Sequence, residues 1–409
     1  MKAHKVSVQA TTQVGFDHRF SRISSPFSLA AATYVLLALF CVTTSQIASA
    51  QRANPNAGAG SVIVHPKFGG TIFGFDIDPH GGEGVLSEAV FNSDGTVLAV
   101  VETFDPTTGN IIQVVAKTET QDDFVTLGIT SNSVGIVERE HVISLFDVQR
   151  TYRVLNPVGA NKFTSSWTPP IDHAHVINEV SRGSGGPNVA VYALDTSTNM
   201  SPVVFSSNVT ANIFGPRFPV VDTDFNLEQS PELAYNNLTN EAVLGHQKNS
   251  PFIVPPMVGT MDLTTGTFTK FTGLGLGVIN GIAVDPQDGI ACTTTSFDAS
   301  VQFYTLSTKK GVSFRLPGAD ENSLFAGQHI AYDPVNKLFL VAQPFSSTSS
   351  GSSIQVYDTL GNFVESVNGL SFSGESNVIP VHIAINPRNR TGFVDGPNLD
   401  DTSIQSFAY

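Results

Sequence analysis

Four residue types that do acid–base or metal chemistry recur at one position of a repeated sequence pattern. Glu and His exchange protons, carboxylate and amide oxygens suit hard cations such as calcium, and imidazole suits zinc. Each residue stands at, or directly before, the start of a short apolar run. The candidate ligand-binding residues are Glu88, Glu232, Asn280, Gln328, His329 and His382. Those we expect to hold a divalent cation, calcium or zinc, are Glu88, Asn280 and His329.

The apolar runs define a repeat that extends over most of the chain. Its anchor residues lie 38 to 68 positions apart: Glu88, Thr126, Thr164, Glu232, Gly281, His329 and His382. Each run leads into a turn rich in Asp, Asn, Pro and Gly, and further runs with alternating apolar residues follow, which is typical of strands. Four strands in about 40 to 50 residues is the unit of a β-propeller. The sequence therefore predicts an all-β, seven-bladed propeller, or six blades if one of the two weak copies at Thr126 and Thr164 is not a blade.

The two ends of the repeat region are each too short to form a blade alone. Residues 61–87 precede the first anchor, and 28 residues remain from His382 to the end. Together they have the length of one blade, so we expect the termini to share the last blade and close the ring. The prediction is one propeller domain over residues 61–409.

The repeat places the candidate residues around one central channel, because the first residue of every innermost strand lies near a channel mouth. Three interpretations follow. In the first, these polar residues are solvated at the channel mouth or hydrogen-bond to the neighbouring backbone and have no further function. In the second, they bind an ion or a small ligand. In the third, they catalyse a reaction, with Glu and His as acid and base or with a metal that activates water.

The N-terminal segment has the features of a secretory signal. Basic residues precede an apolar run from Leu29 to Val42, and Ala48 and Ala50 occupy the small-residue positions of a cleavage site. We expect residues 1–50 to be a signal peptide and residues 51–60 a disordered lead-in, with an uncleaved anchor as the alternative. The mature protein would be secreted or periplasmic and without a stable membrane span.

Charge and cysteine content restrict the class of partner. The net charge is −14, and removal of residues 1–50 leaves 17 Lys and Arg against 34 Asp and Glu, or −17. Such a surface repels phosphate backbones, so we expect no nucleic-acid partner. Cys292 is the cysteine that remains after cleavage, and its apolar neighbours predict a buried side chain. We expect a monomer whose partner is a protein or a small-molecule ligand.

Several motifs resemble known propeller families. The runs from Asn280 ("NGIAVDPQDG") and His329 ("HIAYDPVNK") resemble NHL-repeat and YncE-like propellers, and "TIFGFDIDPHGG" from Thr71 resembles lactonase-type propellers. The chain also resembles, more distantly, the gluconolactonase (senescence marker protein) family. This resemblance implies a divalent metal held by Glu88 and Asn280. Where that family has a third ligand, an Asp, this chain has Gln328 and His329.

Two hypotheses follow. The first is a secreted propeller that binds a ligand or a protein and has no catalysis of its own. The alternative is a metal-dependent, lactonase-type hydrolase with its site at the channel mouth near Glu88, Asn280 and His329. The sequence contains no G-x-S-x-G, H-E-x-x-H, C-x-x-C or Walker A motif, which argues against the common serine hydrolases, zincins, redox dithiols and P-loop enzymes.

Overall fold

A computed structural model describes most of the chain from residue 53 to residue 409. The described residues are 53–78, 82–93, 96–118, 122–129, 135–144, 147–155, 163–167, 177–182, 188–195, 201–208, 213–220, 232–246, 254–295, 298–317, 330–343, 352–370, 382–395 and 402–409. From 122 to 182 this description covers the backbone alone. The predicted signal peptide lies outside the described residues.

Within the described residues, twenty-nine strands form seven antiparallel sheets, which are the blades. The first strand along the chain is β1 (Gly58–Val64). Blade 1 contains β2 (Thr71–Ile77), β3 (Gly84–Phe91), β4 (Val97–Phe104) and β5 (Ile111–Thr118). Blade 2 contains β6 (Asp122–Ile129), β7 (Gly135–Ser144), β8 (Asp147–Leu155) and β9 (Phe163–Trp167). Blade 3 contains β10 (Ile177–Arg182), β11 (Asn188–Asp195), β12 (Ser201–Asn208), β13 (Ile213–Phe214) and β14 (Phe218–Pro219).

The remaining four blades follow in chain order. Blade 4 contains β15 (Glu232–Asn236), β16 (Glu241–His246), β17 (Met257–Asp262) and β18 (Phe268–Thr272). Blade 5 contains β19 (Ile279–Asp285), β20 (Ile290–Thr295), β21 (Ser300–Thr305) and β22 (Lys310–Arg315). Blade 6 contains β23 (Ile330–Asp333), β24 (Leu338–Gln343), β25 (Ser352–Asp358) and β26 (Phe363–Leu370). Blade 7 contains β27 (Ile383–Asn386), β28 (Thr391–Asp395), β29 (Ile404–Ala408) and the returning β1.

The blades form a closed ring. The first strand of every blade lies against the first strand of the next, in the order β2, β6, β10, β15, β19, β23, β27 and back to β2. First strands are therefore innermost. The fold is a seven-bladed β-propeller, as predicted. The copy at Thr126 lies in β6, the innermost strand of blade 2, whereas the copy at Thr164 lies in β9 of the same blade and does not mark a blade of its own.

Both ends of the chain close the ring, which confirms the predicted shared blade. β1 pairs antiparallel with β29, with Gly58 opposite Ala408 and Val64 opposite Ile404. Closure uses three C-terminal strands and one N-terminal strand, whereas "TIFGFDI" from Thr71, which the sequence assigned to the shared blade, is the first strand of blade 1. Closure of this kind leaves no unpaired edge between the first and last blades.

The segment predicted to be a disordered lead-in, 51–60, differs in its described part. β1 begins at Gly58, and the Asn54 side chain donates a hydrogen bond to the carbonyl oxygen of Tyr409 at 2.8 Å. The backbone N–H of Asn54 donates to Glu365 Oε2 at 2.8 Å. Composition alone indicates disorder here because Gly, Ala and Asn bury little apolar surface, but backbone pairing with β29 does not depend on side chains.

Turns between first and second strands are held by side chains of Asp or Asn. In blade 5, Asp285 Oδ1 accepts hydrogen bonds from the backbone N–H groups of Gln287 and Asp288, at 2.9 and 3.4 Å. Asn236 and Asp333 begin the same kind of turn in blades 4 and 6. These bonds confirm the sequence interpretation of the turns, and they fix the direction in which each second strand returns.

The apolar core lies between the faces of neighbouring blades. Phe104 of blade 1 packs edge-on against Phe393 of blade 7, with ring centroids 5.6 Å apart, and both rings are buried. Burial of one such ring stabilises the fold by about 1.5–3 kcal/mol. Cys292 is fully buried between blades 5 and 6, as predicted, and burial raises the pKa of its thiol well above the ordinary value.

Candidate functional site

Three of the predicted site residues lie at the starts of innermost strands. Glu232 begins β15, Asn280 is the second residue of β19, and His382 directly precedes β27. All three are partly exposed. Because every blade begins with its innermost strand, these starts lie on one face of the ring. Gln328 and His329 lie outside the described residues, and the use of any of these residues by a ligand stays a prediction.

Glu88 does not begin an innermost strand, so its predicted position at the channel mouth was wrong. It lies in β3, the second strand of blade 1, and its side chain is fully buried. Thr164 is displaced in the same way, because it lies in β9, the fourth strand of blade 2. Each of these apolar runs alternates like a first strand, but alternation does not reveal the rank of a strand within its blade.

The segment "FGFDIDP" from Phe73 is the true counterpart of "NGIAVDP" from Asn280. Both innermost strands carry a register shift at this point, between Ile72 and Gly74 in β2 and around Asn280 in β19. Phe73 therefore occupies in blade 1 the position that Asn280 occupies in blade 5. The shared Gly and the Asp-Pro pair four residues later are the sequence signal that identifies it.

His382 contacts two side chains near the start of β27. Its backbone N–H donates a hydrogen bond to Asp395 Oδ2 at 2.7 Å, and Nδ1 lies 3.7 Å from Asp395 Oδ1. Its ring packs edge-on against Phe75 of blade 1, with centroids 5.9 Å apart. These contacts hold the entry to blade 7 against blade 1.

A short loop, residues 65–70, connects the outer strand of blade 7 to the inner strand of blade 1. Gly69 has φ 69°, in the left-handed region that favours glycine. A Cβ at Gly70 would come within 2.5 Å of the carbonyl oxygen of Ala89. The two glycines therefore let the chain turn and lie flat against β3, and we name residues 65–70 the closing loop.

Two buried carboxylates hold the closing loop. Glu88 accepts hydrogen bonds from the N–H groups of Phe68 (Oε1, 3.1 Å) and Gly70 (Oε2, 2.7 Å). Glu102 Oε2 accepts from the N–H of Lys67 at 2.9 Å. These three amides lie in a loop with no ladder partner, so the carboxylates supply the acceptors that the backbone needs.

The same carboxylates have perturbed acidities. Burial raises the pKa of Glu88, and the amides of Gly70 and Phe68 offset part of the rise. Burial raises the pKa of Glu102 to about 7, and the negative charge of Glu88 adds to the rise while the Lys67 amide opposes it. Both side chains are fully buried. Glu102 therefore takes up a proton near neutral pH.

An aromatic and basic surface lies at the same end of blade 1. The Lys67 and Lys117 ammonium groups lie 5.9 and 5.1 Å from the Phe68 ring centroid. The Phe91 ring packs edge-on against Phe73 at 6.5 Å. Phe91 is 64% exposed and Phe68 36% exposed. We name these five residues the aromatic–lysine patch. Sequence reasoning missed it because its members come from four separate segments.

In blade 5, neutral side chains occupy the positions that the buried carboxylates occupy in blade 1. Gln302 of β21 occupies the position that Glu102 of β4 occupies in blade 1. Each lies opposite a second-strand residue at the same register position, which is Leu86 for Glu102 and Thr293 for Gln302. Gln302 accepts a hydrogen bond from Thr293 Oγ1 and donates one to Thr295 Oγ1, both at 2.7 Å. The loop that precedes blade 5 is held by the Tyr304 hydroxyl, which accepts from the Leu274 N–H at 2.6 Å.

Comparisons with known proteins agree with the fold. The chain is similar to a chain in the crystal structure of a mitotic checkpoint complex, with 10% sequence identity, a TM-score of 0.57, and coverage of 98% of this chain and 99% of that one. At this identity the likeness supports the propeller fold alone. No protein-family model matches the sequence, and no curated protein matches it.

Two absences hold for the part of the chain that the structure describes. Within that part, no three or more His, Cys, Asp or Glu side chains converge as a metal site would require. In the same part of the chain, no helix has the length and apolar character of a membrane span.

Proposed function

We propose that this protein is a secreted, monomeric propeller that binds a protein partner through one face and has no catalysis of its own. Secretion is supported by the N-terminal sequence, with its basic start, apolar run and small-residue cleavage site. The aromatic–lysine patch is the single observation that carries the proposed binding. Two large rings are exposed there beside two ammonium groups, and Phe68 and Lys67 among them lie on a loop that buried side chains hold in place.

The chemistry of the patch indicates the partner. Exposed aromatic rings supply large contact area, and aromatic side chains are enriched at protein interfaces. The two ammonium groups favour a partner with carboxylates around an apolar centre. Since the chain is acidic as a whole, a local basic site would also select where on the surface an acidic partner docks.

The geometry of Glu88 favours this function over the hydrolase. A metal ligand or general base needs a carboxylate that a metal or substrate can reach. Glu88 is buried, and each of its oxygens already accepts a backbone hydrogen bond. Its role here is to hold the closing loop, and so the patch, in position.

A display selection tests the proposal. Random peptides would be selected on the mature protein and then measured against Phe68→Ser/Phe91→Ser. The matched control is Leu238→Ser/Val335→Ser, two exposed apolar residues in turns on the opposite face, 62% and 65% exposed. We expect selected peptides to be rich in Asp, Glu and apolar residues, and to bind the control variant but lose roughly tenfold or more in affinity for the patch variant.

Two results would contradict the proposal. The first is a set of selected peptides that bind the patch variant and the control equally well. The second is turnover of a lactone panel by the wild-type protein with calcium or zinc, abolished in Glu88→Gln. That second result would support the hydrolase instead.

A further inference from the structure

The outer edge of blade 5 differs from the other outer edges whose burial the structure describes. β22 lies at the end of its sheet, β21 is its one pairing partner among the described strands, and all six of its residues are exposed. β18 and β26, the outer strands of blades 4 and 6, contain partly buried residues. Among the outer strands whose burial is described, β22 alone is exposed along its whole length.

The backbone of β22 offers hydrogen bonds on its outer side. The N–H of Leu316, just beyond the strand, donates to the carbonyl oxygen of Ala299 at 2.8 Å. Because inward and outward residues alternate along an antiparallel edge, the N–H and C=O groups of Gly311 and Ser313 then point away from β21. An unpaired edge of this kind is a template for an added strand.

Apolar side chains accompany this edge. Val312 and Phe314 are 46% and 42% exposed and lie on the same face of the strand. Gly361 of blade 6 lies so close that a Cβ there would come within 2.9 Å of Phe314 Cε2. Leu360 in the same turn and Phe363 at the start of β26 are also exposed. The apolar surface therefore continues from β22 onto blade 6.

The charge of this edge is opposite to that of the whole protein. Residues 299–317 contain three basic residues, Lys309, Lys310 and Arg315, and no Asp or Glu, in a chain of net charge −14. The basic residues stand at the two ends of β22, about 17 Å apart for an extended strand. A strand that pairs here meets a positive charge at each end and apolar side chains between.

We propose that the β22 edge binds an extended, acidic segment of a partner protein by strand addition. Backbone groups of Gly311 and Ser313 would pair with the segment, its apolar residues would cover Val312 and Phe314, and its carboxylates would face Lys310 and Arg315. This surface is on the rim of the ring and is separate from the aromatic–lysine patch, so each can fail without the other.

Charge argues against a second copy of this chain as the occupant. In two antiparallel copies the outward-facing residues would lie opposite one another, Ser313 against Ser313 and Gly311 against Arg315, so that neither Lys310 nor Arg315 meets an acidic residue, and two parallel copies would place like residues side by side. Like charges directly opposite each other destabilise a strand pair. An acidic strand converts the same positions into attractions.

Fluorescence anisotropy with two labelled peptides tests the proposal. The probe has Glu pairs at both ends and alternating Val and Thr between, and its control has Lys pairs in place of Glu. We expect the mature protein to bind the acidic probe and not the basic one, with affinity that falls as salt rises. Equal affinity for both peptides would overturn the proposal.

Variants separate strand addition from general attraction between charges. Ser313→Pro removes an outward N–H, which an edge strand tolerates. Lys310→Glu/Arg315→Glu reverses the end charges, and the matched control is Lys270→Glu, on the exposed part of β18 in blade 4. We expect Ser313→Pro and the double reversal each to weaken binding roughly fivefold to tenfold, and the control to change it less than twofold.

The substituted side chains are exposed, so we expect the variants to fold, and thermal melting checks that they do. A loss of affinity as large in Lys270→Glu as in the double reversal would overturn the proposal in favour of non-specific attraction. Unchanged binding in folded Ser313→Pro would exclude strand addition. A wild-type dimer in sedimentation that Ser313→Pro dissociates would assign the edge to a second copy.

Discussion

Blades 1 and 5 place polar side chains at the same strand positions beneath the loop that leads into each blade, but they use different chemistry. Blade 1 has Glu88 and Glu102, whose carboxylates accept hydrogen bonds from the closing loop. Blade 5 has Thr295 and Gln302, which hydrogen-bond to each other. The same strand positions of a propeller blade can therefore hold either a neutral hydrogen-bond network or a pair of acids. Only the pair of acids makes the stability of the contact between blade and loop depend on pH.

Glu88→Ala is expected to have the largest effect on the comparison. It leaves the N–H groups of Phe68 and Gly70 without their acceptors, at about 1–3 kcal/mol each, so we expect the free energy of unfolding to fall by about 4 kcal/mol. The matched change in blade 5, Thr295→Val, removes the hydroxyl but leaves no loop amide unpaired, and should cost about 1–2 kcal/mol. Urea unfolding measures both, and equal losses would remove the distinction between the two blades.

Glu102→Gln gives blade 1 the neutral side chain of blade 5. The folded pKa of Glu102, about 7, lies above the ordinary value of 4.5. The folded state therefore binds the proton more tightly, and this stabilisation is complete below pH 4.5 and is lost as the pH rises through 7. We expect the wild type to lose about 2–3 kcal/mol between pH 4.5 and 8 that Glu102→Gln does not lose.

Urea unfolding of both proteins across that range checks this prediction. The variant should be the more stable protein at pH 8 and should show the flatter profile. A wild type that gains stability relative to the variant as the pH rises would contradict the raised pKa.

Gln302→Glu is the reciprocal change and should have a smaller effect. It places an acid in a fully buried position of blade 5, where Thr293 and Thr295 supply hydroxyl groups. We expect a loss of about 2 kcal/mol at pH 8 and a smaller loss at pH 5, because the buried acid is neutral when protonated. Thermal melting at the two pH values measures it, and a loss independent of pH would indicate a steric cause.

Phe91→Ser should have the smallest effect on stability. The ring is mostly exposed, so we expect the free energy of unfolding to change by less than about 0.5 kcal/mol, as in Leu238→Ser on the opposite face. Of these two variants, only Phe91→Ser should bind the selected peptides more weakly. A large loss of stability would show that Phe91 serves the fold rather than a partner.

The fold was predictable because propeller blades repeat in the sequence. Turns that begin at Asp285 and Asp333 repeat a local hydrogen-bond pattern, so the propeller class and the closure of the ring follow from spacing, although the anchors Thr126 and Thr164 both fall in blade 2 and none marks blade 3. The rank of a strand within its blade does not, since second strands alternate as first strands do. This is why Glu88 was assigned to the channel when it lies in β3.

The candidate site was less predictable because it depends on tertiary contacts. Glu in a strand is ordinarily exposed, and nothing near Glu88 or Glu102 in sequence indicates that a loop some 20 to 35 residues earlier lies over both. The aromatic–lysine patch has the same origin. Asn280, Glu232 and His382 were correctly expected at the starts of innermost strands, where the repeat itself sets the position.

The carboxylates of Glu88 and Glu102 hold the closing loop by accepting hydrogen bonds from its amides. Amide hydrogen exchange of residues 65–70, measured by mass spectrometry in the wild type and in Glu88→Gln with and without calcium or zinc, tests this role most directly. We predict that the Phe68 and Gly70 amides are protected in the wild type, that either cation leaves this protection unchanged, and that Glu88→Gln weakens it. Fast exchange in the wild type, with protection that appears only when a cation is added, would contradict the account and support a metal site at Glu88.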